Sequence, residues 1–443
     1  MVKSRLVKMN GVLCKCGKAH EFKSDIISGS GVIVRVVDAV REYGAKKPYI
    51  LADKNTYSAA GVRVCEILDG AGISYESFIY PDEWLHPDEH AVGAAIMNMP
   101  LGCDMIIAVG SGVINDTAKI VSAHKKTPFV IIATAPSMDG YASMSSSVTL
   151  GAFKISLPSR CADVIIGDTD IIAKAPKKLQ LAGVGDMLAK YVSICEWRIS
   201  NLVCGEYYCE EIAALIRLAL GRIIKSADEL VKGDADAAAT VFDGLSAGSV
   251  GMNYADSSRP ASGVEHYISH VYDMRGVTFG ERTELHGIQC GIGTLIAVRF
   301  YKKLKDIKPD RERALAYVNG FDVEQNRQML LNLLGASADG MIRLDEKEQK
   351  YDLAKHKARL NVIIDKWDEI VRIIDEELPD AEWLESFMKR IGMATDFSEL
   401  GMDASILPDV FKATKDIRDK YVLSKLLWDI GMLDELASEL KRD

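Results

Sequence analysis

Up to about Lys177 the chain alternates short, almost uninterrupted apolar runs with stretches whose apolar positions recur every three or four residues. PYILAD (48–53), MIIAVG (105–110), FVIIAT (129–134) and ADVIIGD (162–168) are short, bounded by polar residues and glycines, and rich in β-branched side chains, so they predict strands. AAGVRVCEILDGAG and SGVINDTAKIVSAH carry the helical period, the first closing on glycine. Strands alternating with helices predict a largely parallel sheet with ligands at the carboxyl ends of its strands. Beyond Lys177 the strand runs stop. Long amphipathic stretches take over, among them CEEIAALIRLALGRIIKSADELV (209–231) and LAKHKARLNVIIDKWDEIVRIIDEEL (353–378). The expected organisation is an α/β domain over residues 1–176 and an all-α domain over 177–443, without internal repeats, its closing charged helices serving packing or assembly.

Bulk properties narrow the function. A chain of 443 residues is long enough for two cores. Fifty-four basic against 63 acidic side chains give a net charge of −9. That balance excludes a general nucleic-acid or membrane-surface binder and leaves a small molecule as the expected partner. No apolar run approaches the ~18 residues of a membrane span. The opening MVKSRLVKMNGVLCKCGKAHEF lacks the apolar core and cleavage site of a leader. Nine cysteines, an odd number scattered without a framework, predict reduced thiols in a cytoplasmic protein.

Two constellations carry chemistry. In MIIAVGSGVINDTAK, Gly110 and Gly112 sit at a strand-to-helix turn, where backbone N–H groups can approach a pyrophosphate at a helix N-terminus. Asn115 stands where a third glycine would complete the dinucleotide fingerprint, so a plain tight turn is the competing reading. Asp53, at the tip of its strand, suits the ribose hydroxyls of NAD, or else caps the helix that follows. The second constellation is GVEHYISHVYDM with TELHGIQCG. His266 and His270 share a helix face, and His286 follows within a window of 21 positions that holds three of the chain's eight histidines. Such a cluster points to metal binding or catalysis. Asp186 in GVGDMLAKYVS would by itself read as a helix charge or a partner of Lys190. With two imidazoles it makes an open site for Zn²⁺ or a similar ion. Cys14, Cys16 and His20 in CKCGKAH could make a partial metal site, but with only three donors close together a structural hairpin is the expected reading.

Taken in order, VGSGVINDTAK, TAPSMDGYAS, GDTDIIAKAPKKLQLAGVGDMLAK, SRPASGVEHYISH and LHGIQCGIG resemble the sn-glycerol-1-phosphate dehydrogenases. That family lies in the superfamily of iron-containing alcohol dehydrogenases, glycerol dehydrogenases and dehydroquinate synthases. The resemblance runs from about residue 30 to 300 and weakens over the C-terminal helices. It implies a Rossmann-like N-terminal domain, a helical C-terminal domain and an active site in the cleft between them. It implies Asp186, His266 and His286 as ligands of one divalent metal (zinc or nickel, with iron the third candidate), Asp186 also facing substrate. His270 and Asp139 match catalytic, substrate-contacting positions. Gly112, Val113, Ile114, Asn115 and Asp116 match the dinucleotide phosphate turn, Thr134, Ala135, Pro136 and Ser137 a second cofactor segment, and Ser143 a further cofactor contact. The cofactor implied is NAD, with NADP as the alternative. The reaction implied interconverts dihydroxyacetone phosphate and sn-glycerol 1-phosphate in a cytoplasmic homodimer or larger homo-oligomer of phospholipid metabolism.

Three alternatives stand beside this reading: a glycerol dehydrogenase acting on unphosphorylated polyol, a dehydroquinate-synthase-like cyclase, and a catalytically silent cofactor binder. The cyclases place glutamate where Asp186 stands. For a substrate phosphate, SSRPASGVEH offers Arg259, Ser262 and Gly263 at a helix N-terminus, with Lys154 and Arg282 as further candidates. In the competing reading Ser262 merely caps that helix and Arg259 pairs with an acid.

Overall fold

A computed structural model describes residues 8–82, 85–151 and 153–440; the first seven residues of the stretch read as lacking a leader lie outside it. Eight strands are described: β1 (Asp25–Gly29), β2 (Pro48–Asp53), β3 (Glu76–Tyr80), β4 (Met105–Gly110), β5 (Phe129–Ala133), β6 (Ser145–Leu150), β7 (Phe153–Pro158) and β8 (Val164–Asp168). Six of them form one sheet in the order β1-β8-β5-β4-β2-β3, every neighbouring pair parallel, and β6 and β7 form a separate two-stranded sheet. The strands β4, β5 and β8 are buried at every position, which is why their sequences are continuous Val/Ile runs. β1 and β3 lie at the edges and are half-exposed. DIISG and ESFIY pair on one side only and carry too few apolar residues to stand out in the pattern. β6, SSSVTL, likewise has too few apolar residues to stand out as a strand.

The chain divides into two compact units. The first holds the large sheet with helices α1 (Val62–Gly70) and α2 (Gly112–Lys125), the start of the 28-residue helix α3 (Lys177–Cys204), and helices α4 (Glu210–Val231) and α5 (Ala235–Ala255). Its apolar core joins one face of the sheet, through Ile50, Ile107, Val109, Val130, Ile132 and Ile166, to Val64 and Leu68 of α1. Helix α5 docks through Phe242: a Cβ on Gly167 of β8 would sit 2.2 Å from that ring, so glycine is what lets the helix reach the strand.

The second unit is helical and centres on α6 (Val264–Phe279) and α7 (His286–Leu304). Both are buried around most of their circumference, in keeping with a weak amphipathic signal. Gly293 of α7 allows close crossing, because a Cβ there would lie 2.8 Å from the Glu265 carbonyl oxygen of α6. The stretch 353–378 is two helices, Leu353–Asp365 and Trp367–Glu377, and not one. The break at Lys366 lets Trp367 bury its ring and donate Nε1–H to the Ile307 carbonyl at 2.7 Å.

Candidate metal centre and dinucleotide site

At the carboxyl edge of the sheet, β4 ends on Gly110 and α2 begins at Gly112. A Cβ on Gly110 would meet the Ile114 side chain at 2.6 Å, so the turn itself demands glycine there. Gly112 has space for one, the nearest atom being Met138 Cγ at 3.5 Å. No side chain caps α2, so the first N–H groups of a 14-residue helix are left for an anion. Ser111 Oγ and Ser137 Oγ, 2.5 Å apart, link the turn after β4 to the loop after β5.

The side chains of this turn do less than its backbone. Ile114 and Asn115 are buried, and Asn115 Nδ2–H donates to the Gly140 carbonyl at 3.1 Å. Asp116 accepts the Ser147 N–H at 3.1 Å and faces Lys119 at 3.3 Å. Lys119, fully buried, donates to Ser143 Oγ at 2.8 Å and to the Gly140 and Ser145 carbonyls. Asp116 thus fastens α2 to Ser146 and Ser147, while Lys119 ties it to Gly140, Ser143 and Ser145. Lys119 had no sequence signal, being one lysine on an amphipathic helix. Asp53 Oδ1 accepts the Thr56 N–H at 2.8 Å in a capping box, the alternative that its position at the strand tip left open.

In the same unit Thr134 and Ser137 are buried, and the Ala135 carbonyl accepts from Tyr141 Oη at 2.7 Å. A Cβ on Gly183 would lie 1.9 Å from the Pro136 carbonyl oxygen, so α3 can approach this loop only through glycine. One turn further along α3, Asp186 is 1% exposed and accepts the Asp139 N–H through Oδ2 at 2.8 Å. The two acids are thus fixed relative to one another by a backbone contact.

The helical unit brings the histidines together. Ring centroids of His266 and His286 are 5.0 Å apart, those of His270 and His286 5.6 Å. His266 Nδ1 lies 2.9 Å from Glu265 Oε1, and His286 Nδ1 lies 2.9 Å from Ser269 Oγ. A carboxylate can only accept, so Nδ1 of His266 carries the proton and Nε2 keeps its lone pair, the usual arrangement of a metal-ligating imidazole. Cys290, which sequence reasoning counted only among scattered thiols, places Sγ 3.5 Å from His286 Nε2; ligand atoms of His266, His286 and Cys290 all fall within 4.8 Å of one another.

His270 is 8% exposed, and its Nδ1 has no hydrogen-bond partner among the described residues; the same holds for the buried Tyr267 hydroxyl. Burial first, then the positive charge of Arg418, holds the His270 pKa well below the ordinary histidine value, with His286 and Lys154 adding to the effect. The imidazole is neutral at neutral pH.

The phosphate candidates sort differently. The N-cap of α6 is Gly263, not Ser262, and the helix start is already occupied by carboxylates. Glu265 Oε1 accepts the Gly263 N–H at 2.6 Å, and Glu196 Oε2 accepts that of Val264 at 3.0 Å. An anion has no place there. Arg259 is 2% exposed and donates to Glu206 (2.8 Å), the Tyr421 carbonyl (2.8 Å) and Ser200 Oγ (3.1 Å), so it is an internal anchor. Lys154 faces Asp273 at 3.4 Å, and Arg282 is exposed. Arg418, whose charge acts on both His270 and Tyr267, carried no sequence signal and lies where the resemblance is weak.

The model of the iron-containing alcohol dehydrogenases matches residues 27–176. Glycerol dehydrogenase from Schizosaccharomyces pombe aligns with a TM-score of 0.60 at 18% identity, covering 96% of this chain and 92% of that one. An iron-containing alcohol dehydrogenase from Thermococcus thioreducens gives 0.61 at 14% identity, over 94% and 98%. The architecture is that of the iron-containing alcohol dehydrogenases, with the dehydroquinate-synthase-like fold. Among curated proteins, the glycerol-1-phosphate dehydrogenase [NAD(P)+] of Halalkalibacterium halodurans is 30% identical over 370 residues, 78% of this chain and 92% of that protein. The enzyme of that name from Methanosarcina mazei is 33% identical over 280 residues, 63% and 77% of the two chains. The chain belongs to the glycerol-1-phosphate dehydrogenase family.

Proposed function

We infer that this protein is a metal-dependent, NAD(P)-linked dehydrogenase that interconverts dihydroxyacetone phosphate and sn-glycerol 1-phosphate. The observation that carries the reading is the pair His266 and His286, each with Nδ1 engaged within the chain, beside a neutral His270 whose Nδ1 is buried and unengaged. Asp186, His266 and His286 would hold the metal, a donor set of one carboxylate and two imidazoles that suits Zn²⁺, Ni²⁺ or Fe²⁺. The ion, when bound, supplies Lewis acidity at the substrate oxygen, and the nicotinamide supplies the hydride chemistry.

The rest falls to the chain. Backbone N–H groups of Gly112, Val113 and Ile114 bind the pyrophosphate, with Asn115 and Asp116 fixing the turn behind them, Gly110, Thr134, Ala135, Pro136 and Ser137 shaping the adjoining wall and Asp53 taking the ribose. Asp139, held by Asp186, orients the substrate hydroxyls. His270, neutral, gives or takes the proton at Nδ1. The substrate phosphate needs cationic partners, and Arg418 with Lys154 is the pair whose charge reaches His270. No described helix is long and apolar enough to cross a membrane. We assign the protein to the cytoplasm as a homodimer or larger homo-oligomer supplying glycerophosphate for phospholipid metabolism.

The test is chelation. Enzyme stripped of metal should lose NADH oxidation with dihydroxyacetone phosphate and recover it on adding Zn²⁺, Ni²⁺ or Fe²⁺. His266→Ala should retain its fold by circular dichroism but hold less than a tenth of the wild-type metal at that site. Undiminished turnover in metal-free protein would refute the reading.

A further inference from the structure

Residues 11–20 carry chemistry that hydride transfer does not use. Leu13 and Ala19 form an antiparallel bridge, and between them the chain reverses through Gly17 at φ 87°. Cys14 N–H donates to the Lys18 carbonyl at 2.9 Å and Gly17 N–H to the Cys14 carbonyl at 2.9 Å, closing a tight knuckle. Val12 and Leu13 are 54% and 73% exposed, so no apolar core holds this hairpin in place.

What is buried instead is His20, 2% exposed. Its Nδ1 lies 3.1 Å from the Tyr254 carbonyl and its ring 5.2 Å from the Tyr254 ring. A carbonyl only accepts, so Nδ1 carries the proton and Nε2 offers its lone pair, with Cys16 Sγ 3.5 Å away. An imidazole tied at one nitrogen to a backbone carbonyl and facing thiols with the other is arranged as a metal ligand. A further buried thiol, Cys209, stands immediately before α4. The donor atoms of Cys14, Cys16, His20 and Cys209 all lie within 4.8 Å of one another.

We propose that Cys14, Cys16, His20 and Cys209 bind a structural zinc ion, separate from the metal held by Asp186, His266 and His286. Three thiolates and an imidazole form the closed, four-coordinate set of structural zinc, with no position left for substrate. Soft sulfur donors select zinc against magnesium, calcium or manganese. The ion replaces the missing apolar core by cross-linking the hairpin to the start of α4. The sequence shows only three of the donors because the fourth is remote in the chain.

The experiment measures metal in two backgrounds. His266→Ala, freed of loosely held metal by dialysis against chelating resin, should keep about one equivalent of zinc per chain. Adding Cys14→Ser and Cys16→Ser to that variant should reduce it to nearly none. Cobalt substituted into the His266→Ala protein should give thiolate-to-cobalt charge transfer and the strong visible bands of tetrahedral coordination, both lost in the triple variant. If the serine variant does not fold, Cys16→His serves instead, because it preserves four donors: zinc is retained and the cobalt charge transfer weakens. In the otherwise unaltered enzyme, Cys14→Ser with Cys16→Ser should lower thermal stability while leaving kcat with dihydroxyacetone phosphate within about twofold, as expected for a structural and not a catalytic ion. Zinc content near zero in His266→Ala, absence of the cobalt–thiolate band, or a disulfide among these cysteines in the protein as isolated would each overturn the proposal.

Discussion

Arg259 illustrates what a single residue can and cannot reveal. Placed five positions before α6, it looks from sequence like an anion anchor. In the folded chain its guanidinium is taken up by Glu206, Ser200 and the Tyr421 carbonyl, partners 53, 59 and 162 positions away. Those separations are why no local pattern could report the burial. Removing one side of a buried, hydrogen-bonded ion pair costs about 3–5 kcal/mol. Arg259→Ala should therefore lower the urea midpoint sharply while affecting phosphorylated and unphosphorylated substrates alike. A selective loss on the phosphorylated substrate at unchanged stability would return Arg259 to the phosphate site. The histidines were legible for the opposite reason: His266 and His270 are one helical turn apart, and local spacing suffices to place them side by side. What spacing could not give was the support beneath the imidazoles, Glu265 on His266 and Ser269 on His286.

At the scale of elements, the strand–turn–helix unit β4–α2 was legible almost to the residue, because its strand is buried on both faces and its helix starts at a glycine pair. The edge strands β1 and β3 were not, since one-sided pairing asks little of a sequence. The split at Lys366 escaped for another reason: the apolar period continues through it, and only the packing of Trp367 breaks the helix. The two glycines of the turn separate structure from binding. Gly110 has no room for a Cβ, whereas Gly112 has ordinary contact distance to Met138. Gly112→Val should thus fold with near-normal stability yet raise KM for NADH tenfold or more, since a branched side chain blocks a pyrophosphate from the backbone N–H groups. Unchanged cofactor kinetics in that variant would put the dinucleotide elsewhere.

For the molecule as a whole, the helical unit carries a buried carboxylate pair beneath α6. Glu196 accepts N–H groups from Val264 and Leu423, yet burial, reinforced by the charge of Glu265, raises its pKa to about 8. The folded chain therefore keeps a proton that the unfolded chain releases from about pH 4.5 upward. This contribution to stability is complete at low pH and disappears as pH rises through about 8. Between about pH 5 and about pH 9 the melting temperature of the wild type should fall relative to that of Glu196→Gln, which has no proton to lose; parallel curves would contradict the shared burial. Family and fold reach across most of the chain, and the proposed phosphate contact rests on Arg418, beyond the well-matched motifs, together with Lys154. The most direct measurement is the ratio of kcat/KM for NADH-dependent reduction of dihydroxyacetone phosphate to that for dihydroxyacetone, with metal present. A desolvated phosphate–cation contact worth about 2–5 kcal/mol predicts a preference for the phosphorylated ketone of some thirtyfold to several thousandfold. Equal values, or a preference for the unphosphorylated ketone, would contradict the assignment of a glycerol phosphate substrate.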